Sequence, residues 1–237
     1  MSLKKILIIQ NITREGPGLF EKSLNSQGIK YEIVDLSLNE EIPLKEKYGA
    51  VVVLGGPDSV NDNTKKIENQ LKYVKKILAE KIPYLGICLG LQVLVKAAGG
   101  IVIKSKIKEI GFRDLNNNLF SIHLTKKGEQ DQMFHNIKNN LEVFQLHGET
   151  VELTENMNLL GRGEFCKNQI IKIGENAYGF QCHFELTSEL LESWMKEDLD
   201  LSRLNKKKLR EDFNLLKDEF SKNGFQIFNN FLKIAGF

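Results

Sequence analysis

Cysteine is scarce in these 237 residues: Cys88, Cys166 and Cys182 are the only three. An odd, sparse set argues against a disulfide framework and fits a reducing cytosol. No CxxC pair or Cys/His cluster with zinc spacing occurs, and the residues name no metal and no cofactor. A charge surplus is also missing: 33 Lys and Arg against 31 Asp and Glu leave a formal charge of +2. That balance gives no footprint for nucleic acid or an anionic membrane. No run approaches the ~20 apolar residues that span a bilayer. Lys4 and Lys5 precede only a short apolar run, whereas a secretory h-region would be longer and end in small residues. The expectation is a cytoplasmic protein with neither a nucleic-acid nor a membrane partner. The phosphate loop G-x-x-x-x-G-K-[ST] is absent. Histidine is limited to His123, His135, His147 and His183, which bounds the choice of any catalytic base.

What is present alternates. Leu3–Ile9 reads as a strand, and Pro17–Leu24 as a helix with Pro17 near its first turn and Gly28 stopping it. Tyr31–Val34 and the wholly apolar Ala50–Leu54 read as strands, the latter covered on both faces. Thr64–Lys81 is a long helix with Ile67, Leu71, Val74 and Leu78 on one face. Ile82–Ile87 is a strand, Leu89–Ala98 a helix stopped by Gly99-Gly100, and Ile101–Ile103 the start of another strand. This βαβα rhythm predicts an α/β three-layer sandwich with a mainly parallel open sheet. Residues 104–173 carry short strand-like pieces at Leu119–Leu124, Leu141–Gln145 and Gln169–Ile173, expected to be antiparallel. Asn116-Asn117-Asn118 reads as a solvated turn. From Thr187 the pattern is helical: Lys206-Lys207-Lys208 is a solvated helix start, and Leu209, Phe213, Leu216 and Phe220 form a stripe. Asn223-Gly224 is expected to end that helix, with Phe225, Phe228, Phe231 and Leu232 on a final one.

The informative stretch is Gly86-Ile87-Cys88-Leu89-Gly90. An apolar strand runs into a residue with glycines two before and two after, and a helix begins at once. This is the cysteine version of the G-x-S-x-G nucleophile elbow. Cys88 would sit at a helix N-terminus, where free N–H groups favour an anion, and the Leu89 N–H can meet an oxyanion. A nucleophilic cysteine needs a base. In Gly179-Phe180-Gln181-Cys182-His183-Phe184-Glu185, a strand end, His183 and Glu185 lie two apart and can face one site. Glu185 can hold the imidazole tautomer; the same alternation turns Cys182 away. Gly55-Gly56, after the strand ending at Leu54, can present N–H groups to an anion at the same sheet edge.

These motifs resemble the class I glutamine amidotransferases, the Cys-His-Glu triad family. The resemblance covers roughly residues 3–190 and rests on GGPDSV (55–60), GICLGLQ (86–92), LHGE (146–149) and GFQCHFE (179–185), in the family's order. It implies the flavodoxin-like fold of that family, with Cys88 attacking a glutamine γ-amide. It implies that His183 protonates the departing ammonia and that Glu185 orients His183. It places the oxyanion hole at Gly56 and Leu89, and glutamine binding at Gly55, Gln92, Gln145, Leu146 and His147. Cys182 and Phe184 depart from the family's usual Phe and Pro, and His123 and His135 match nothing. Lys108-Glu109-Ile110-Gly111 and the helical C-terminus look most like free-standing relatives of the amidotransferase domain of GMP synthase.

The resemblance divides the chain into an amidotransferase domain at 1–190 and a helical extension at 191–237, with no room for an acceptor-activating domain. Two enzymatic readings stay open. Ammonia passes to a separate synthetase subunit, or the chain acts alone as a γ-glutamyl hydrolase or transferase. A non-catalytic regulatory module and a redox-sensing cysteine protein are the alternatives of another class. A homodimer is among the expected assemblies.

Overall fold

The structure, a computed structural model, describes residues 4–44 and 47–237. Strand β1 (Ile6–Gln10) leads to α1 (Gly18–Ser26), β2 (Tyr31–Asp35), β3 (Ala50–Val53), α2 (Lys65–Ala79), β4 (Tyr84–Ile87) and α3 (Leu89–Ala97). The expected strand start at Leu3 lies outside the described residues. There follow β5 (Ile101–Gly111), β6 (Ser121–Leu124), the single turn α4 (Lys126–Glu129), β7 (Asn140–Glu142) and β8 (Gln145–Glu152). Then come β9 (Met157–Arg162), β10 (Ile170–Ile173), β11 (Ala177–Phe180), α5 (Ser188–Glu197) and α6 (Lys206–Ile234). Among the described residues no helix is long and apolar enough to cross a membrane.

The main sheet runs β2-β1-β3-β4-β11-β10-β9-β6-β7. From β2 to β11 every pairing is parallel, and from β11 outward every pairing is antiparallel. The mainly parallel sheet and the antiparallel middle are therefore both present, joined through β11. β5 and β8 pair with each other in a separate ribbon. Side chains alternate across β1: Ile6 and Ile8 join Phe20 of α1 and Phe228 of α6, while Leu7 and Ile9 join Ile67 of α2 and Leu94 of α3. That makes three layers. The buried face of α2 is rotated from the expected one: Gln70, Tyr73 and Ile77 are inside with Ile67 and Val74, and Leu71 and Leu78 sit at the margin. Gln70 goes inside because its Nε2 donates to Asn11 Oδ1 at 2.8 Å.

The expected stop at Asn223-Gly224 is a correction. α6 begins at Lys206 behind an Asn205 cap and continues unbroken for 29 residues. Gly224 is there for close approach: a Cβ would lie 2.7 Å from the Phe184 carbonyl oxygen and 3.0 Å from Leu19 Cδ1. Phe220 stacks on Phe184 at 6.2 Å, and Phe228 meets Phe20 edge-on at 5.1 Å. Gly224→Ala sets two effects against each other. Alanine gains about 1 kcal/mol of helix propensity, and overpacking against a backbone oxygen costs about 1–3 kcal/mol. The carbonyl cannot rotate aside as a side chain can, so we expect a melting temperature several degrees lower, at roughly 2–4 °C per kcal/mol. A thermal melt that rises instead would show the contact to be slack.

Candidate active site

Four strand ends converge on one edge: the loops after β1, β3, β4 and β11. Open parallel sheets place their sites there. At the end of β4 the chain turns through Cys88 at φ 50, ψ −105, a conformation that L side chains rarely adopt. The Cys88 N–H donates to Phe180 O of β11 at 2.7 Å. The flanking glycines are required by space. A Cβ on Gly86 would lie 2.4 Å from the Gly90 carbonyl, and one on Gly90 would lie 2.1 Å from Val53 O. Any side chain there would push α3 off β3 and β4.

His183 and Glu185 lie in a turn beyond β11, rather than on an extended strand. The strand alternation used to pair them therefore does not apply, yet the pairing holds: His183 Nδ1 and Glu185 Oε1 are 2.7 Å apart, both nearly inaccessible. Phe184, standing where the family writes proline, does not disturb this turn. The turn is anchored through the His183 N–H to Phe144 O (3.0 Å) and the Leu19 N–H to Glu185 O (2.9 Å). The Trp194 ring meets the imidazole edge-on at 5.0 Å. His183 Nε2 is buried with no hydrogen-bond partner, which leaves it available to a reacting proton. Burial works against protonation of this ring. The Glu185 carboxylate and Cys88 outweigh it, so the imidazole holds its proton well above the usual histidine range.

Cys88 Sγ lies 3.7 Å from Leu146 O and 3.6 Å from Gln181 Nε2, and Gln92 Nε2 reaches Gln181 Oε1 at 3.5 Å. A cavity of about 580 Å³ opens over Cys88, lined by Gly56, Gln92, Leu146 and His147. Gly55 packs beneath it, with the place of a Cβ only 3.6 Å from Cys88 Cβ. Leu89 is buried at the start of α3, where its N–H has no helical acceptor. Gln145 is buried off the cavity, with Oε1 unpartnered. The His147 ring turns inward: Nε2 is 2.8 Å from Glu109 Oε2 and Nδ1 is 3.0 Å from Glu149 O. Both His123 and His135 are exposed. Cys182 is fully buried in the apolar core.

Glu109, His147 and Cys166 bring three ligand-type atoms within 4.8 Å of one another. They fit a metal poorly. Glu109 Oε2 also accepts from Gln169 Nε2 at 3.0 Å, and Cys166 Sγ is engaged by Thr150 Oγ1 at 3.1 Å. The trio is a buried polar network that ties β5 to β8. Sequence reasoning missed Glu109 as a partner for His147, and it missed Glu15, which lines the cavity. Glu15 was findable in principle, since its loop leaves a strand on the same sheet edge.

The family model described as glutamine amidotransferase class-I matches residues 19–199. A glutamine amidotransferase-like protein of Salmonella typhimurium is 28% identical over 184 residues, 75% of this chain and 74% of that protein. The glutamine-hydrolyzing GMP synthase of Thermosipho melanesiensis is 28% identical over 217 residues, 88% of this chain but 38% of the synthase. The chain thus spans well under half of that relative. Among solved structures, a glutamine amidotransferase from Thermotoga maritima aligns over 100% of both chains with a TM-score of 0.86 at 24% identity. One from Methylobacillus flagellatus covers 98% of this chain and 96% of its own, with a TM-score of 0.85 at 24% identity. These two likenesses show the fold.

Proposed function

The chain belongs to the glutamine amidotransferase class-I family, and we propose that it hydrolyses the γ-amide of glutamine, or of a γ-glutamyl amide, through a thioester on Cys88. The observation that carries this reading is a thiol held at φ 50 beside a buried His183–Glu185 pair with a free imidazole nitrogen. Cys88 Sγ attacks the γ-carbon, and the N–H groups of Gly56 and Leu89 receive the oxyanion. Nε2 of His183 delivers its proton to the nitrogen as the C–N bond breaks, and ammonia or an amine leaves. The same nitrogen then takes a proton from water, which attacks the thioester and frees glutamate. Glu185 keeps the ring oriented through both halves. Gln92, Leu146 and His147, with Gly55 beneath, shape the pocket for the glutamyl head, and Gln145 backs them from off the cavity.

A separate synthetase subunit as the receiver of the nitrogen is the companion proposal. It is supported by the GMP synthase relative, in which the matched part is a minority of the chain.

The test is incubation with glutamine and a panel of γ-glutamyl amides, reading glutamate and released ammonia or amine, with Cys88→Ala as control. A diazoketone analogue of glutamine should attach to Cys88 alone near neutral pH. Burial holds Cys166 up to about 11 and Cys182 well above the usual thiol range, so neither competes as thiolate. Absence of both turnover and a label on Cys88 overturns the reading.

A further inference from the structure

Glu15 takes no part in the steps above. It lies in the loop Arg14-Glu15-Gly16-Pro17-Gly18 that follows β1. The loop is held rigidly. The Glu15 N–H donates to Ile12 O at 3.0 Å, and Trp194 Nε1 donates to Arg14 O at 2.8 Å. Gly18, at φ 48, lets the loop close on the triad; a Cβ there would lie 2.0 Å from Glu185 O. Glu15 is therefore aimed. The place of a Cβ on Gly55 lies 2.3 Å from Glu15 Oε2, 3.1 Å from His183 Cε1 and 3.6 Å from Cys88 Cβ. Carboxyl, imidazole and nucleophile converge on one glycine.

The carboxyl holds only a loose ion pair. Its side chain is 6% exposed, and Arg14 Nη2 stands 4.0 Å away, beyond hydrogen-bond range. That guanidinium turns instead to Asp198 Oδ2 at 3.3 Å. Burial pushes Glu15 up to about 7, with His183 and Arg14 pulling it down and Glu185 and Asp198 pushing it further up. A buried carboxylate whose nearest guanidinium stands 4.0 Å off gains when a cation comes within hydrogen-bond reach. The cavity mouth is also acidic on balance: Asp58, Glu149, Glu197, Asp198 and Asp200 line it with Arg14 and Lys108, although Lys66 pairs with Asp58 and Lys108 with Asp200. Such a field concentrates cations.

His183 must face the departing nitrogen to protonate it, so the groups beside the imidazole face the leaving amine. We propose that Glu15 anchors a cation subsite on that side, and that the favoured substrates are γ-glutamyl amides whose amine carries a second, protonated nitrogen, such as a γ-glutamyl diamine. This rests on γ-glutamyl hydrolysis at Cys88. In the step itself the amide C–N bond breaks and the Sγ–C bond forms. His183 supplies the proton to the departing nitrogen, and Glu15 transfers none.

The test uses the full chain with two substrates, γ-glutamyl-1,4-diaminobutane and γ-glutamyl-n-butylamide, which differ by the terminal ammonium. A charged hydrogen bond in a buried site is expected to favour the diamine in kcat/KM by about tenfold or more. Glu15→Gln should bring the ratio close to one, and Glu15→Asp should keep part of it. Equal rates in the wild type, or a preference that survives Glu15→Gln, overturns the subsite. A second arm needs no turnover: 1,4-diaminobutane is titrated by calorimetry into Cys88→Ala protein with Glu15 intact or changed to Gln. Diamine binding that depends on Glu15 supports the subsite, and absent or equal binding in the two proteins overturns it. Silence of both substrates with Cys88 unlabelled overturns hydrolysis alone.

Discussion

Cys88→Gly and Cys88→Ala are both expected to be inactive, and the glycine variant is expected to be the more stable of the two. Loss of the nucleophile removes the covalent route, a loss on the order of 10⁴–10⁶-fold in kcat by analogy with other nucleophile deletions. The stability order is the unusual part. At an ordinary position glycine is less stable than alanine by about 0.4–1 kcal/mol, because it frees the unfolded chain. At φ 50, ψ −105 the alanine keeps its Cβ in a strained conformation worth about 1–3 kcal/mol. Glycine tolerates that conformation, which is close to the mirror image of an extended one. Strain outweighs entropy, so the glycine protein should melt a few degrees higher. Paired melts of the two variants decide it, and an alanine protein that melts higher would mean that the elbow is relaxed.

Glu185→Gln should lower kcat by about 10²–10⁴-fold with the fold intact, the range attached to a disabled acid–base residue. The isostere preserves volume in a pair buried almost completely, but it removes the charge that holds the His183 proton. It also offers an amide N–H to Nδ1, which would move the ring proton to Nε2 and leave the base facing Cys88 with nothing to accept. His183, held well above its ordinary range partly by Glu185, should titrate lower in the variant. Steady-state kinetics with an NMR titration of the ring reads both effects. A kcat within about threefold of wild type, below that range, would remove Glu185 from the mechanism.

The layers, the elbow and the triad were legible because each is written locally. Ala50–Val53 is apolar throughout, Gly86 and Gly90 bracket Cys88, and Glu185 lies two residues from His183. Where sequence reading stopped, the cause was contact between distant segments. Asn223-Gly224 carries the punctuation of a helix end, yet Gly224 answers to the Phe184 carbonyl across the core. Glu15 stands in a loop with no periodicity, and its meaning comes from Gly55 and His183. His147 lines the cavity, but its partner Glu109 was not legible because it lies on the other strand of the β5–β8 ribbon. The triad pairing was reached through strand alternation, while the molecule makes it with a turn.

The hydrogen bond from the Cys88 N–H to Phe180 O has a consequence in time. During synthesis the thiol emerges long before β11, and β11 emerges before α6, which presses on Phe184 through Gly224. Until β11 docks, that hydrogen bond is missing and His183 is not beside Cys88. The nucleophile and its base can therefore meet only after β11 has joined β4, late in the order of synthesis.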